Sequence, residues 1–236
     1  MNSLSQSVAQ EAEYDLGLRN FFLSVYQRLT LGLLLTAVMA WVASNDPVKS
    51  LLFRTTNHHV VDYTILGWIV AFAPIFVMVG LGVARSMRDA GAIAFWSVAA
   101  LFGLSMGSIV LRYSGVSIAT AFVETAGAFG AMSLFGYTTK RDLSGWGAAL
   151  FVGLLGILIA IIVSVFLHTT AFMLGINILG ILIFAGFTAF DTQMLKSLYR
   201  ESNGSVNAVY VGALNLYLDF INLFMFLLSM SSGDDD

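Results

Sequence analysis

The sequence has no cysteine, only 2 prolines and few charged residues, which make up 11% of its 236 positions. Without cysteine there is no disulfide scaffold. An aromatic content of 13% with so little proline does not fit a disordered or collagen-like chain. A soluble domain of this size usually carries about 25% charged residues, so this chain lacks the polar surface that would face water on all sides. A soluble enzyme is therefore excluded.

The charges that are present exclude two further classes. A formal net charge of −3 and the lack of basic clusters argue against a nucleic-acid partner. Residues 1–14 carry Glu11 and Glu13 but no Lys or Arg, whereas a secretory signal begins with basic residues. We therefore expect the first apolar run to stay in the mature protein. With 58% hydrophobic residues, the composition indicates a polytopic membrane protein.

Long uncharged runs divide the chain into membrane spans. The longest, Leu143–Phe190, has no Asp, Glu, Lys or Arg over 48 residues. As one helix it would be about 72 Å long, so it must cross twice, with a break at 168–170. Helices are required because a backbone in lipid must satisfy its own hydrogen bonds, and the alternating pattern of a barrel is missing. The sequence predicts an all-α bundle of seven spans, at 26–45, 61–84, 90–111, 116–138, 146–167, 171–196 and 207–229.

Lys and Arg in the connections predict the orientation. Eight of them fall on one side of the membrane and three on the other. The richer side is cytoplasmic by the positive-inside rule, which places the N-terminus inside and, after seven spans, the C-terminus outside. We therefore expect a cytoplasmic N-terminal segment (1–25), a seven-helix transmembrane domain (26–230) and a short acidic outer tail (231–236).

Five ionisable residues lie within or at the edges of the spans, where charge is costly without a partner or water. Asp62 is near a span end, where we expect it to be solvated, and Arg28 is near the cytoplasmic boundary, where its side chain can extend to water. Glu124 either lines a cavity from the outer side of the fourth span or hydrogen-bonds a neighbour. Asp191 and Asp219 remain as candidates for function.

Asp191 and Asp219 are predicted to meet inside the membrane. Asp219 lies on a polar helical face with Gly212, Asn215 and Asn222, and Ser229 follows a heptad later. The last two spans form an antiparallel hairpin in which the two aspartates are equidistant from Ser205, so they lie at the same depth. Adjacent carboxylates do not both ionise cheaply, so they share one proton and form a pH sensor.

Two readings of this pair stay open. In the first, the pair is functional, because two deprotonated carboxylates offer oxygen ligands suited to Ca²⁺. Alternatively, it is a permanently protonated pair that only holds two helices together.

Three known membrane chemistries do not fit. Intramembrane aspartyl proteases have a Gly-x-Gly pattern before the second Asp, whereas Leu216–Leu218 stands here. Gly103, Ser105 and Gly107 match a serine nucleophile motif but lie inside an uncharged helix, where a close helix contact explains them. A retinal-type receptor needs a Lys in the last span, which has none. We therefore expect no enzymatic activity and no cofactor.

The motifs around the two aspartates resemble the paired signatures of the Bax inhibitor-1 family. They are Phe187–Gln193 (FTAFDTQ) and Leu216–Phe224 (LYLDFINLF), and Gly136–Ser144 resembles the connection between the fourth and fifth spans of the family's bacterial inner-membrane members. The resemblance covers nearly the whole chain, from Tyr26 to Leu228.

The resemblance implies a seven-helix bundle with the last helix central, located in the bacterial inner membrane with a periplasmic C-terminus. It implies a pH-dependent Ca²⁺ leak in which Asp191 and Asp219 are the proton sensor and the ion-binding carboxylates. A basic residue at the cytoplasmic end of the second span would latch the closed state by pairing with an aspartate. Arg85 is the best match, and Arg88 is the alternative.

The sign of the pH effect does not follow from the sequence, because deprotonation both repels the pair and strengthens a bond to Arg85. Bacterial relatives are also linked to regulation of membrane proteases. The alternative is therefore a non-transporting interaction protein that modulates a membrane protease or a stress response. The expected partners are the lipid bilayer, calcium ions and, in the alternative, a membrane protease.

Overall fold

The computed structural model of the chain describes residues 2–56, 59–83, 90–167 and 169–231, nearly all of them helical. The elements in chain order are α1 (Asn2–Ala43), α2 (Val48–Leu52), β1 (Phe53–Thr56), β2 (His59–Tyr63), α3 (Ile65–Val83), α4 (Ala90–Arg112), α5 (Gly115–Thr138), α6 (Ser144–Leu167), α7 (Thr170–Ser202) and α8 (Val206–Ser231).

Six helices are long and apolar enough to cross a membrane: α1 from Glu13 onward, and α4 to α8. The prediction of a mainly helical chain with several candidate membrane spans is therefore confirmed. In α3 the apolar stretch among the described residues, Ile65–Gly80, is shorter. The seventh crossing and the central position of the last helix stay predictions.

The later helix limits lie close to the predicted spans, but α1 is much longer than its span. It runs from Asn2 to Ala43 without a break, so most of the expected N-terminal segment (1–25) is continuous with the first span. Helix α7 continues to Ser202, beyond the predicted limit at 196. At both places the helix continues into polar sequence beyond the predicted apolar span. Hydropathy alone does not predict such an extension. Of the predicted acidic tail, 232–236 lies outside the described residues.

A β-hairpin precedes α3, and the prediction of helix from residue 61 was wrong there. Strand β1 pairs antiparallel with β2, with Phe53 opposite Tyr63. Their rings meet edge to face at 5.3 Å, and the Tyr63 hydroxyl shares a hydrogen bond of 2.8 Å with Ser108 of α4. These contacts between distant residues select strand over helix. Asp62 is exposed on β2, as expected for a solvated carboxylate.

The chain divides into two compact units. The first comprises Met1–Ser108 and Leu195–Leu214, and the second comprises Ile109–Met194 and Asn215–Asp236. Each unit contains one part of α7 and one part of α8.

In the first unit, α1 packs closely on α4. The Thr36 hydroxyl donates to the Ala99 carbonyl at 3.0 Å. A Cβ added to Gly103 would lie 2.6 Å from the Cβ of Met39, and one added to Gly107 would lie 2.6 Å from the Cβ of Ala43. The helix-contact interpretation of Gly103 and Gly107 is therefore confirmed.

In the second unit, glycines let α5 and α6 approach α7. A Cβ on Gly136 would overlap the carbonyl oxygen of Ala189, and one on Gly147 would lie 2.7 Å from the ring of Phe190. Ala189 and Phe190 directly precede Asp191 on α7, so both contacts lie beside this aspartate.

A tight turn joins α7 to α8. Asn203 and Gly204 adopt left-handed backbone conformations, with φ of 50° and 68°, and the Gly204 N–H donates to the Tyr199 carbonyl at 3.2 Å. Glycine and asparagine tolerate this region best, which explains why the chain reverses at this point.

Candidate functional site

The last two helices run antiparallel and meet in register. In the second unit, the Asn177 side-chain amide donates to the Ser229 hydroxyl at 3.1 Å, and the rings of Phe184 and Phe226 stack at 5.9 Å. The residues of each pair lie at nearly equal distances from the turn at 203–204. This register brings Asp191 and Asp219 to the same level, as the sequence predicts.

The carboxyl groups of Asp191 and Asp219 lie close enough to each other to interact directly. The side chain of Asp219 is 4% exposed, whereas Asp191 is half-buried. A carboxylate only accepts hydrogen bonds, so a bond between two carboxyl groups requires that one of them carries a proton. The buried Oδ2 of Asp219 has no hydrogen-bond partner in the described part of the chain. A single shared proton would therefore join the two carboxyl groups in this site, which is largely closed to solvent.

The neighbours of Asp191 on α7 are fixed to α5 and to the connection that follows it. Thr192 and Ser133 are both buried, and their hydroxyls share a hydrogen bond of 3.0 Å. The Gln193 side chain accepts from the Leu143 N–H and donates to the Arg141 carbonyl, both at 2.8 Å. The sequence signal for Gln193 was only its place in the FTAFDTQ motif, so its role was not predicted.

The predicted polar face of α8 has more than one environment. A Cβ on Gly212 would lie 2.5 Å from the Leu195 side chain, so this glycine serves helix packing. Asn215 is exposed, and Asn222 is half-buried and donates to the Leu218 carbonyl of its own helix at 2.7 Å. Asn215 lies about one helical turn before Asp219, and Asn222 lies about one turn after it.

Arg28 lies in the first unit and is more enclosed than the sequence suggested. Its guanidinium carbon stands 5.3 Å from the ring centroid of Tyr210, which is a cation–π geometry. Its Nε is buried and has no hydrogen-bond partner within the described ranges. The expectation that this side chain simply extends to water is therefore incomplete.

The other predicted residues are placed as follows. Glu124 is exposed on α5, and both interpretations of it stay predictions. Arg85 and Arg88 lie outside the described residues, and the latch they would form also stays a prediction.

The aspartate pair by itself offers few ligands to a cation. No group of three or more His, Cys, Asp or Glu residues that could hold a metal ion occurs in the described ranges. Ca²⁺ takes about six to eight oxygen ligands, so at this pair most of them would have to come from water, amide oxygens or the backbone.

Comparison with known proteins gives a consistent picture. The family model described as "Inhibitor of apoptosis-promoting Bax1" matches residues 18–236. An uncharacterized protein of Caulobacter vibrioides is 46% identical over 93% of this chain and 91% of its own length. The inner membrane protein YbhL of Escherichia coli is 42% identical over 90% of this chain and 91% of its own length. The uncharacterized protein RP147 of Rickettsia prowazekii is 37% identical over 94% of this chain and 93% of its own length.

Proposed function

The chain belongs to the Bax inhibitor-1 family, and from this premise we propose that it is a pH-sensitive calcium leak channel gated by the proton that Asp191 and Asp219 share. The observation that supports the proposal most directly is the close approach of the two carboxyl groups on facing helices, one of them buried. A proton held there bridges α7 and α8. Its loss would leave two adjacent negative charges in a poorly solvated site, which repel each other.

The contacts around the pair suggest how a change in proton number would alter the helices. On the α7 side, Thr192 and Gln193 anchor the turn to α5 and its following connection. In this proposal α8 therefore adjusts against a fixed partner and opens a path along which the amides of Asn215 and Asn222 offer oxygens to Ca²⁺. Arg85 is the proposed latch of the closed state.

The proposal includes a location and a topology. The relative YbhL is named an inner membrane protein, and we assign this chain to the bacterial inner membrane as well. We propose seven spans, with α3 as the second, a cytoplasmic N-terminus and a periplasmic C-terminus. Lipid and the transported Ca²⁺ are the proposed partners. No enzymatic activity, cofactor or nucleic-acid partner is proposed.

Vesicles loaded with a fluorescent Ca²⁺ indicator and containing the purified protein test the proposal. Ca²⁺ entry after external addition should depend on pH for the unaltered chain, and Asp219→Asn should flatten the profile because an amide cannot take part in the same proton exchange. Asp62→Asn, which changes an exposed aspartate of the β-hairpin, is the matched control and should keep the profile.

An unchanged flux and pH profile in Asp219→Asn would refute the assignment of the sensor. If the unaltered chain gives no flux at any pH and a membrane protease co-purifies with it, the protein is instead a non-transporting modulator.

A further inference from the structure

Gln193 links α7 to the connection between α5 and α6. Its side-chain oxygen accepts from the Leu143 N–H, and its side-chain nitrogen donates to the Arg141 carbonyl, both at 2.8 Å. Leu143 is 1% exposed, so this end of the connection is seated in the protein rather than loose in solvent. One glutamine thus satisfies two backbone groups some 50 positions away in the sequence.

The direction of the Gln193 side chain matters for Asp191. An α-helix turns by about 100° per residue, so residues two apart project from nearly opposite sides. Gln193 points to the connection after α5, while Asp191 points to Asp219 of α8. Because both polar atoms of the Gln193 side chain are hydrogen-bonded, this side chain resists rotation of α7 about its axis. Such a rotation would move Asp191 away from Asp219.

We propose that Gln193 is a positioning residue that sets the rotation of α7 at which Asp191 meets Asp219. The geometric part stands on the contacts above, and its meaning for gating rests on the proposed function. Within the described residues, α5 and α6 face this turn with uncharged groups: Ser133 meets Thr192, Gly136 meets Ala189 and Gly147 meets Phe190. The charged group that faces Asp191 from α8 is Asp219.

The lack of cysteine in the chain allows the orientation to be read without any transport assay. With Asp191→Cys and Asp219→Cys combined, the rate of disulfide formation under a mild oxidant reports how often the two positions face each other. Thiols that remain free are counted with a mass tag. We expect Gln193→Leu in this background to slow the reaction about tenfold, because two hydrogen bonds of ordinary strength no longer hold the rotation.

Two further variants make the test specific. Gln193→Glu keeps the acceptor for the Leu143 N–H but loses the donor to Arg141, and should give an intermediate rate. Gln27→Leu changes an exposed glutamine of α1 and should leave the rate unchanged. If Gln193→Leu does not yield a monodisperse protein, Gln193→Glu decides. A rate in the deciding variant that equals that of the Gln27→Leu control overturns the proposal.

A second measurement separates this inference from the proposed function. Gln193→Leu is also made with both aspartates present, and Ca²⁺ entry is recorded across pH. A slowed disulfide with a shifted flux profile supports both proposals. A slowed disulfide with an unchanged profile supports the positioning role and refutes the gating role of the pair.

Discussion

Buried hydroxyl groups connect helices in the second unit. The Thr192 side chain is fully buried, and its hydroxyl is bonded to that of Ser133. Thr192→Val keeps the shape and removes this bond, so we expect the protein to lose about 1 kcal/mol of stability. Unfolding by heat or denaturant in detergent measures the loss. Thr30→Val is the control, because the Thr30 hydroxyl is exposed and bonds only within its own helix, to the Tyr26 carbonyl. Equal losses in both variants would contradict the prediction.

The contact between Arg28 and Tyr210 gives a second prediction at this scale. A cation over an aromatic face contributes about 0.5–2 kcal/mol, depending on its exposure to water. Tyr210→Phe keeps the ring and should preserve the melting temperature in detergent, whereas Tyr210→Leu should lower it. Combining each variant with Arg28→Gln distinguishes the cation–π contact from simple packing. The cost of Tyr210→Leu should shrink when the cation is gone, and an undiminished cost would refute the contact.

At the scale of elements, the closest approach in the second unit is that of α5 to α7. Because a Cβ on Gly136 would overlap the Ala189 carbonyl, Gly136→Ala must push the helices apart, at a cost of about 1–3 kcal/mol. Gly127→Ala is the control on the same helix, since nothing lies within 4 Å of its added Cβ. Higher helix propensity should leave that variant equally or more stable. Denaturant midpoints measured side by side check the difference, and a harmless Gly136→Ala would contradict this packing.

Sequence patterns located the spans of most helices well because the lengths of uncharged runs follow directly from the cost of charge in lipid. The predicted span 116–138 became Gly115–Thr138, and 207–229 became Val206–Ser231. The β-hairpin was missed because its strands depend on Phe53 meeting Tyr63 and on Ser108 of a distant helix. Local composition does not contain such contacts.

The same distinction holds for the candidate site. Asp191 and Asp219 were paired from the sequence, since equal distance from a hairpin turn fixes equal depth. The support from Gln193 was not predicted, because a glutamine that bonds the backbone of residues 141 and 143 has no spacing rule. The enclosed position of Arg28 was likewise set by a ring on another helix.

At the scale of the whole molecule, the number of crossings decides on which side each connection lies. The chain has no cysteine, so the single substitutions Asn45→Cys and Ser114→Cys each introduce one thiol. The two positions lie on either side of the stretch that contains α3 and α4. If α3 crosses, both positions lie on the periplasmic side, and an impermeant thiol reagent should label both in intact cells. Thr139→Cys, after α5, should be labelled only after lysis. Labelling of Asn45→Cys but not of Ser114→Cys in intact cells would show that α3 does not cross.

Two aromatic residues of α1 contact a residue of α7 that is synthesised much later. The Tyr199 ring meets Tyr14 at 5.4 Å and Phe21 at 5.5 Å, and its hydroxyl rests against Gly17. Tyr14 and Phe21 leave the ribosome early, whereas Tyr199 follows only when almost the whole polypeptide has been synthesised. Until then the rings of Tyr14 and Phe21 lack this partner. Completion of this contact therefore requires that the chain has been synthesised beyond α6 and through most of α7.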